Sequence, residues 1–199
     1  MTSRPHRTQR TNALGRTELL LLLAAVAILV AQQLAISNLG RDGAEAAFRR
    51  GIFFVTTPML VGIALCFRRY WGAWLIAAGI LLNFLPIAAH GGLMPVSYTI
   101  VRDSGAFPEI TEADIGRQLH NGKDILLRRD DIRFFALSDR YTVDAPLYGE
   151  NIYSLGDFVL FAGGGLMVLQ AIASFVPRKH PATTGADAPP TEADTQPHL

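Results

Sequence analysis

Four stretches of the chain run without a charged residue: Leu19 to Gly40, Gly51 to Phe67, Tyr70 to Ala89 and Phe158 to Val176. Their apolar residues are bunched rather than repeated at i, i+3, i+4 and i+7, so they are not one-sided helices of a soluble domain. Each is close to the roughly 20 residues that cross a hydrocarbon core of about 30 Å. The pattern predicts an all-α membrane protein with four transmembrane helices and a small extracytoplasmic segment between helices 3 and 4. The second run is the weakest. It covers only about 25 Å at 1.5 Å per residue, contains Pro58 beside Thr56 and Thr57, and fits a re-entrant helix as well as a spanning one.

Between the apolar runs the polar positions set the organisation. Residues 1–16 form a basic tail, 17–97 hold helices 1 to 3, 98–153 form the extracytoplasmic segment, 154–176 hold helix 4, and 177–199 form a second tail with five prolines. Both tails are too polar to bury a core and are expected to be disordered. Within the segment, Thr111 and Asp114 have the spacing of a capping box, and Asn121 with Gly122 reads as a helix stop, which predicts one short helix. The stretch "DILLRRDDIRFFALSDRYTVDAPLYG" alternates apolar and charged pairs and predicts short extended pieces and turns. So small a piece buries little surface on its own. Phe134, Phe135, Leu137 and Tyr141 are therefore expected to lie on the membrane helices or at the interface.

Charge adds an orientation. Arg4, Arg7, Arg10, Arg16, Arg68, Arg69, Arg178 and Lys179 fall on one side of a four-span topology, against Arg41, Arg49 and Arg50 near helix ends on the other. The positive-inside rule then places both termini in the cytoplasm. The formal net charge of +1, with basic residues scattered, leaves no surface for nucleic acid. The first apolar run is too long for a signal core and lacks a small-x-small cleavage site, so it reads as a retained anchor. Cys66 is the single cysteine. It offers no intramolecular disulfide and reads as a small apolar residue.

Polar residues inside or at the edge of the spans are the candidate chemistry. Asn83, Pro86 and His90 share one face of helix 3. An Asn at that depth needs a partner, so Asn83 is expected to point at another helix, either as a packing bond or as part of a ligand path. In "AHGGLMPVS" every residue has a structural job: His90 suits the negative helix end, Gly91 the left-handed turn, and Pro95 forbids continuation. Ser154 and Asp157 have the spacing of a capping box opening helix 4. That cap brings Asp157 to the same membrane plane as His90 and makes a His–Asp contact geometrically feasible. His120 is another histidine outside the tails, too thin a supply for a three- or four-ligand metal site. Ala27, Ala31 and Ala35 on helix 1, and Ala73 with Ala77 on helix 3, form small-residue packing stripes. Gly163, Gly164 and Gly165 mark a bend or a close backbone contact rather than a phosphate site.

The two quoted ends of the segment, "LLNFLPIAAHGGLMPVS" and "LSDRYTVDAPLYGENIYSLGDFVLFAGG", resemble a bacterial integral membrane family catalogued as a domain of unknown function. Its members pair N-G-G-x-M-P-V with a later S-x-G-D at the start of the last helix. The resemblance covers roughly residues 75–172, and the first two helices match only in hydrophobicity. It implies that Gly91, Gly92, Met94, Pro95, Val96, Ser154, Gly156 and Asp157 are the positions to carry over. His90 stands where the family has Asn, which can cap but cannot titrate, and this weakens any shared chemistry at His90. The family brings no activity with it.

With no catalytic motif in view, the sequence is read as a non-enzymatic interaction or accessory component of the bacterial inner membrane. Its expected partners are the lipid bilayer and a membrane protein or second copy, with no nucleic acid, cofactor or metal. The competing reading is a membrane-embedded enzyme or small-molecule binding site at the outer membrane edge, built from Asn83, His90, His120 and Asp157. A third is a small transporter subunit.

Overall fold

The computed structural model describes residues 15–38, 43–105, 107–119, 122–145 and 149–175. The expected tail disorder, apart from residues 15 and 16, lies outside the described residues, as do His120 and the Asn121 of the expected helix stop. The elements in chain order are α1 (Arg16–Asn38), α2 (Gly43–Cys66), α3 (Trp71–Ala89), β1 (Met94–Ser97), α4 (Tyr98–Ser104), β2 (Asp124–Leu127), β3 (Tyr141–Ala145), β4 (Gly149–Tyr153) and α5 (Leu155–Phe175). Four helices, α1, α2, α3 and α5, are long and apolar enough to cross a membrane. Their exposed Leu, Val, Ile and Phe side chains, such as Leu20, Val55, Leu81 and Leu169, suit contact with lipid.

The second helix is longer than its apolar run. It begins at Gly43, and its 24 residues reach about 36 Å at 1.5 Å per residue. The extra turns carry Glu45, Arg49 and Arg50, charges that a hydropathy reading counts as loop. Of the three, Arg49 is covered by the segment between α3 and α5: it is only 5% exposed and donates from Nη1 to Gln118 Oε1 at 3.3 Å, while Glu45 and Arg50 are exposed. Pro58 sits inside this helix, and the polar groups beside it are satisfied. Thr56 donates to Ile52 O at 2.6 Å, and Gln32 of α1 donates to Thr56 and Thr57 at 2.6 and 3.3 Å.

The antiparallel α3–α5 pair is the closest in the bundle, and glycine makes it so. Gly72 and Gly79 on α3 face Gly163 and Gly156 on α5. A Cβ at Gly79 would lie 2.8 Å from Gly156 O, one at Gly163 would lie 2.7 Å from Ile76 N, and one at Gly72 would strike Gly163 O. Glycines two turns apart on both helices let the backbones meet along the whole crossing. Ala73 and Ala77 are buried beside them, whereas in the α1 stripe only Ala35 is buried. Of the glycine run in α5, Gly163 makes the close contact; Gly164 and Gly165 face open space.

The segment between α3 and α5 has a small core of its own, Val96, Val101, Leu119 and Leu126. β1 pairs parallel to β2 with Val96 opposite Leu126, and β3 pairs antiparallel to β4. The helix expected over 111–122 shrinks to one 3₁₀ turn, Glu112–Asp114, with its capping box formed. Gly116 at φ +88° breaks it, and the following residues bond to β2 instead, through Gly116 N to Leu126 O at 2.7 Å and Leu126 N to Arg117 O at 2.9 Å. Strand bonds that bury Leu119 outweigh a helix too short to sustain itself. The turn Phe135–Leu137 lies on α3 and α5, and Tyr141 meets Phe158 of α5 edge-on at 5.5 Å, as expected for this aromatic stretch. Phe134 is 53% exposed.

Candidate functional site

The end of α3 and the start of α5 are tied by one polar network. Asp157 N donates to Ser154 Oγ and Ser154 N to Asp157 Oδ2, both at 3.0 Å, so the capping box is complete. Asn83 joins it from α3: its Nδ2 donates to Asp157 Oδ1 at 2.7 Å, and its Oδ1 accepts from Ser154 Oγ at 2.7 Å. Gly156 has no alternative here, because a Cβ at that position would collide with the Asn83 Oδ1. Asn83, Ser154, Gly156 and Asp157 are therefore one unit.

The glycine-proline stretch serves a different end. Gly91 and Gly92 take φ of +70° and +91°, the left-handed region that favours glycine, and Arg50 Cγ would lie 3.0 Å from a Cβ on Gly92. The double glycine turns the chain out of α3 so that Met94, Pro95 and Val96 enter β1 fully buried. Pro95 O accepts from Asp139 N at 3.2 Å, and Met94 N donates to Lys123 O at 2.8 Å. β1 thus positions the two charged residues that complete the site.

Those residues are Lys123 and Asp139. Lys123 Nζ lies 3.2 Å from Asp139 Oδ2 and 3.9 Å from Asp157 Oδ2. With Asp124 they line a partly open cavity of about 240 Å³, whose walls include Phe107, Tyr153 and Phe161. Asp139 is 1% exposed. Among the described residues, Asp139 Oδ1 and Asp124 Oδ1 meet no donor other than each other's carboxyl proton. Burial pushes the Asp139 carboxyl up to about 8 against the pull of Lys123, with Asp124 and Asp157 adding to the rise. Burial also raises Asp124, opposed by Lys123 and by a side-chain hydrogen bond with Asp139. For Lys123, burial would lower the pKa, but the carboxylates of Asp139, Asp124 and Asp157 outweigh it and the net shift is upward.

His90 stands apart from this chamber. Its Nδ1 bonds Pro86 O at 2.7 Å, and its Nε2 accepts from Arg133 N at 3.2 Å. Pro86 O only accepts and Arg133 N–H only donates, so these two bonds use Nδ1 as donor and Nε2 as acceptor. The feasible His90–Asp157 contact is replaced: both ring nitrogens are spent on the backbone, and Asp157 is held by Asn83, Ser154 and Lys123. His120 lies outside the described residues. The spacing of Ser154 and Asp157, and the depth of Asn83, were signals for half of the site. Lys123, Asp124 and Asp139 carried none, because β-pairing rather than local spacing brings them together. Among the described residues, no three His, Cys, Asp or Glu side chains are grouped as a metal shell requires.

No curated protein and no solved structure matches the chain. Residues 16–169 match a family of unknown function (DUF5317). That match takes in all four long helices except the last turns of α5, together with the segment that forms the chamber, so the chain belongs to this family.

Proposed function

We propose that this chain is a non-enzymatic accessory protein of the bacterial inner membrane whose working part is the chamber, a binding site for a small polar molecule at the extracytoplasmic edge. One observation carries the reading: a carboxyl, Asp139, is buried at 1% exposure on the wall of a cavity of about 240 Å³, with an oxygen, Oδ1, that among the described residues meets no donor besides a proton shared with Asp124. Burying an unmet acceptor costs on the order of 1–3 kcal/mol, a cost that a bound donor removes.

Binding fits the site better than catalysis. The one hydroxyl in the polar network, Ser154 Oγ, accepts from Asp157 N and donates to Asn83, so it is a cap with no base at its proton. The excess of Arg and Lys at the ends of α1, α2 and α5 remote from the chamber supports cytoplasmic termini, which puts the chamber outside.

The test is thermal unfolding of the full chain in mild detergent against a panel of small cations, anions and neutral polar solutes. A ligand at 100 times its Kd should add about 2.7 kcal/mol and raise the midpoint. A panel in which nothing raises it, or in which a solute is turned over, overturns the proposal.

A further inference from the structure

We propose that the chamber's ligand is a small organic monocation, its ammonium seated on the Asp124–Asp139 carboxyl pair and its carbon portion against Phe107 and Phe161. This rests on the chamber being a ligand site, and it names the class.

The first argument is charge. The groups facing the cavity are Asp124 on β2, Asp139 beside β1, Asp157 at the start of α5, and Lys123, with Tyr153 and Asn151 from β4 as neutral polar neighbours. Three carboxyls meet one ammonium. Even if Asp124 and Asp139 share one proton between them, the set keeps one negative charge more than it balances. An added positive charge lowers this excess whether or not the shared proton stays, whereas an anion would add to the repulsion.

The second is the pattern of unmet acceptors. Lys123 enters from the rim with its side chain 44% exposed and reaches Asp139 Oδ2. Among the described residues, Asp139 Oδ1 and Asp124 Oδ1 have no donor besides a proton shared between the two carboxyls. An alkylammonium carries three N–H donors and no acceptor, and so suits two carboxyl groups lining one cavity. A divalent metal would want several oxygens converging on one point, and the three carboxyls lining the cavity do not form such a group among the described residues.

The third is size and wall chemistry. At about 240 Å³ the cavity is smaller than a drug-sized pocket, commonly about 300–1,000 Å³, and admits a few heavy atoms. Phe107 and Phe161 give an apolar wall, and aromatic faces attract cations by about 0.5–2 kcal/mol.

The consequence is proton exchange. With Asp139 pushed up to about 8 by burial, the empty pair holds a proton near neutrality; the arriving ammonium stabilises both carboxylates, and that proton leaves to solvent. Affinity then rises with pH toward 8 and levels above it.

Calorimetric titration of the full chain in detergent with ethylammonium chloride at pH 6.5 and 8.5, in two buffers of different ionisation heat, reads both affinity and protons released. The expected result is binding several-fold tighter at pH 8.5, with proton release at pH 6.5. Asp139→Asn should weaken binding at least tenfold at pH 8.5 with its helical circular dichroism retained. Lys123→Met, which removes the competing cation, should tighten binding, and this variant serves if Asp139→Asn does not fold. Binding of sodium acetate or acetamide in place of ethylammonium overturns the cation class while leaving the chamber a ligand site. Preference for magnesium overturns it in favour of a metal, ethylammonium binding that ignores Asp139→Asn overturns the seat, and silence from every probe overturns both proposals.

Discussion

Gly156 and Asp139 carry the two sharpest single-residue expectations. A methyl on Gly156 would occupy the Asn83 Oδ1 position, so Gly156→Ala must push Asn83 off Ser154 and Asp157 or part α3 from α5. Overpacking of this kind costs about 1–3 kcal/mol, and lost interhelical bonds add to it. Gly164→Ala, eight residues on and facing open space, should leave the thermal midpoint in detergent unchanged. Equal midpoints for the two variants would remove the reason given for glycine in the motif. Asp139 makes a pH expectation. Its folded pKa, raised to about 8 from an ordinary value of 3.8, means that between those limits the folded chain holds a proton the unfolded chain has lost. Stability therefore falls as pH rises through this window, by at most about 1.4 kcal/mol per unit, and levels above 8. Lys123, raised as well, is charged in both states across the window and adds no slope. Unfolding midpoints at pH 5, 6.5 and 8 should decline in the wild type and run flatter in Asp139→Asn, which resembles the protonated acid.

At the scale of elements, what could be read from the chain follows the range of the forces involved. The four spans were legible because lipid demands about 20 apolar residues in a row, a property of composition alone. The start of α2 was not, since the charge of Arg49 reads as loop until Gln118, distant in sequence, is seen to accept from it. The Ser154–Asp157 cap was legible by its spacing of three, and Asn83 by its cost in lipid. The chamber was not, because Lys123 and Asp139 meet through β1, whose course depends on the Gly91–Gly92 turn. His90 shows the same limit: its place at a helix end was readable, but its second bond, to the Arg133 amide, was not. That bond gives a test at this scale. His90→Ala should free the 132–138 turn, and amide exchange at Arg133 should accelerate at least tenfold, while His90→Asn keeps a polar group at the helix end and the α3–α5 bonds of Asn83 stay protected in both. An Arg133 amide indifferent to His90→Ala would deny His90 its pinning role.

At the scale of the molecule, Glu18 of α1 meets Arg69 and Gln170 of α5 accepts from the Gly72 amide, so the start of α1 and the end of α5 lie at one end of the bundle and the chamber at the other. The Arg69–Glu18 ion pair at 2.8 Å ties the α2–α3 turn to the start of α1 and fixes the first end. That end carries Arg16, Arg68 and Arg69. The chamber end sets Arg49 and Arg50 against its own segment, where Arg49 is buried and Arg50 lies across Gly92. Basic residues near span ends resist translocation, so the Arg68–Arg69 end should face the cytoplasm. Cys66, exposed at the close of α2, already reports on that end. A second reporter at the other end, Asp130→Cys in a Cys66→Ser background, uses an exposed position away from the chamber. In intact cells a membrane-impermeant maleimide should label Asp130→Cys and spare Cys66 until the membrane is permeabilised. The opposite pattern would turn the chamber to the cytoplasm, and its ligand would then have to be sought among cytoplasmic solutes.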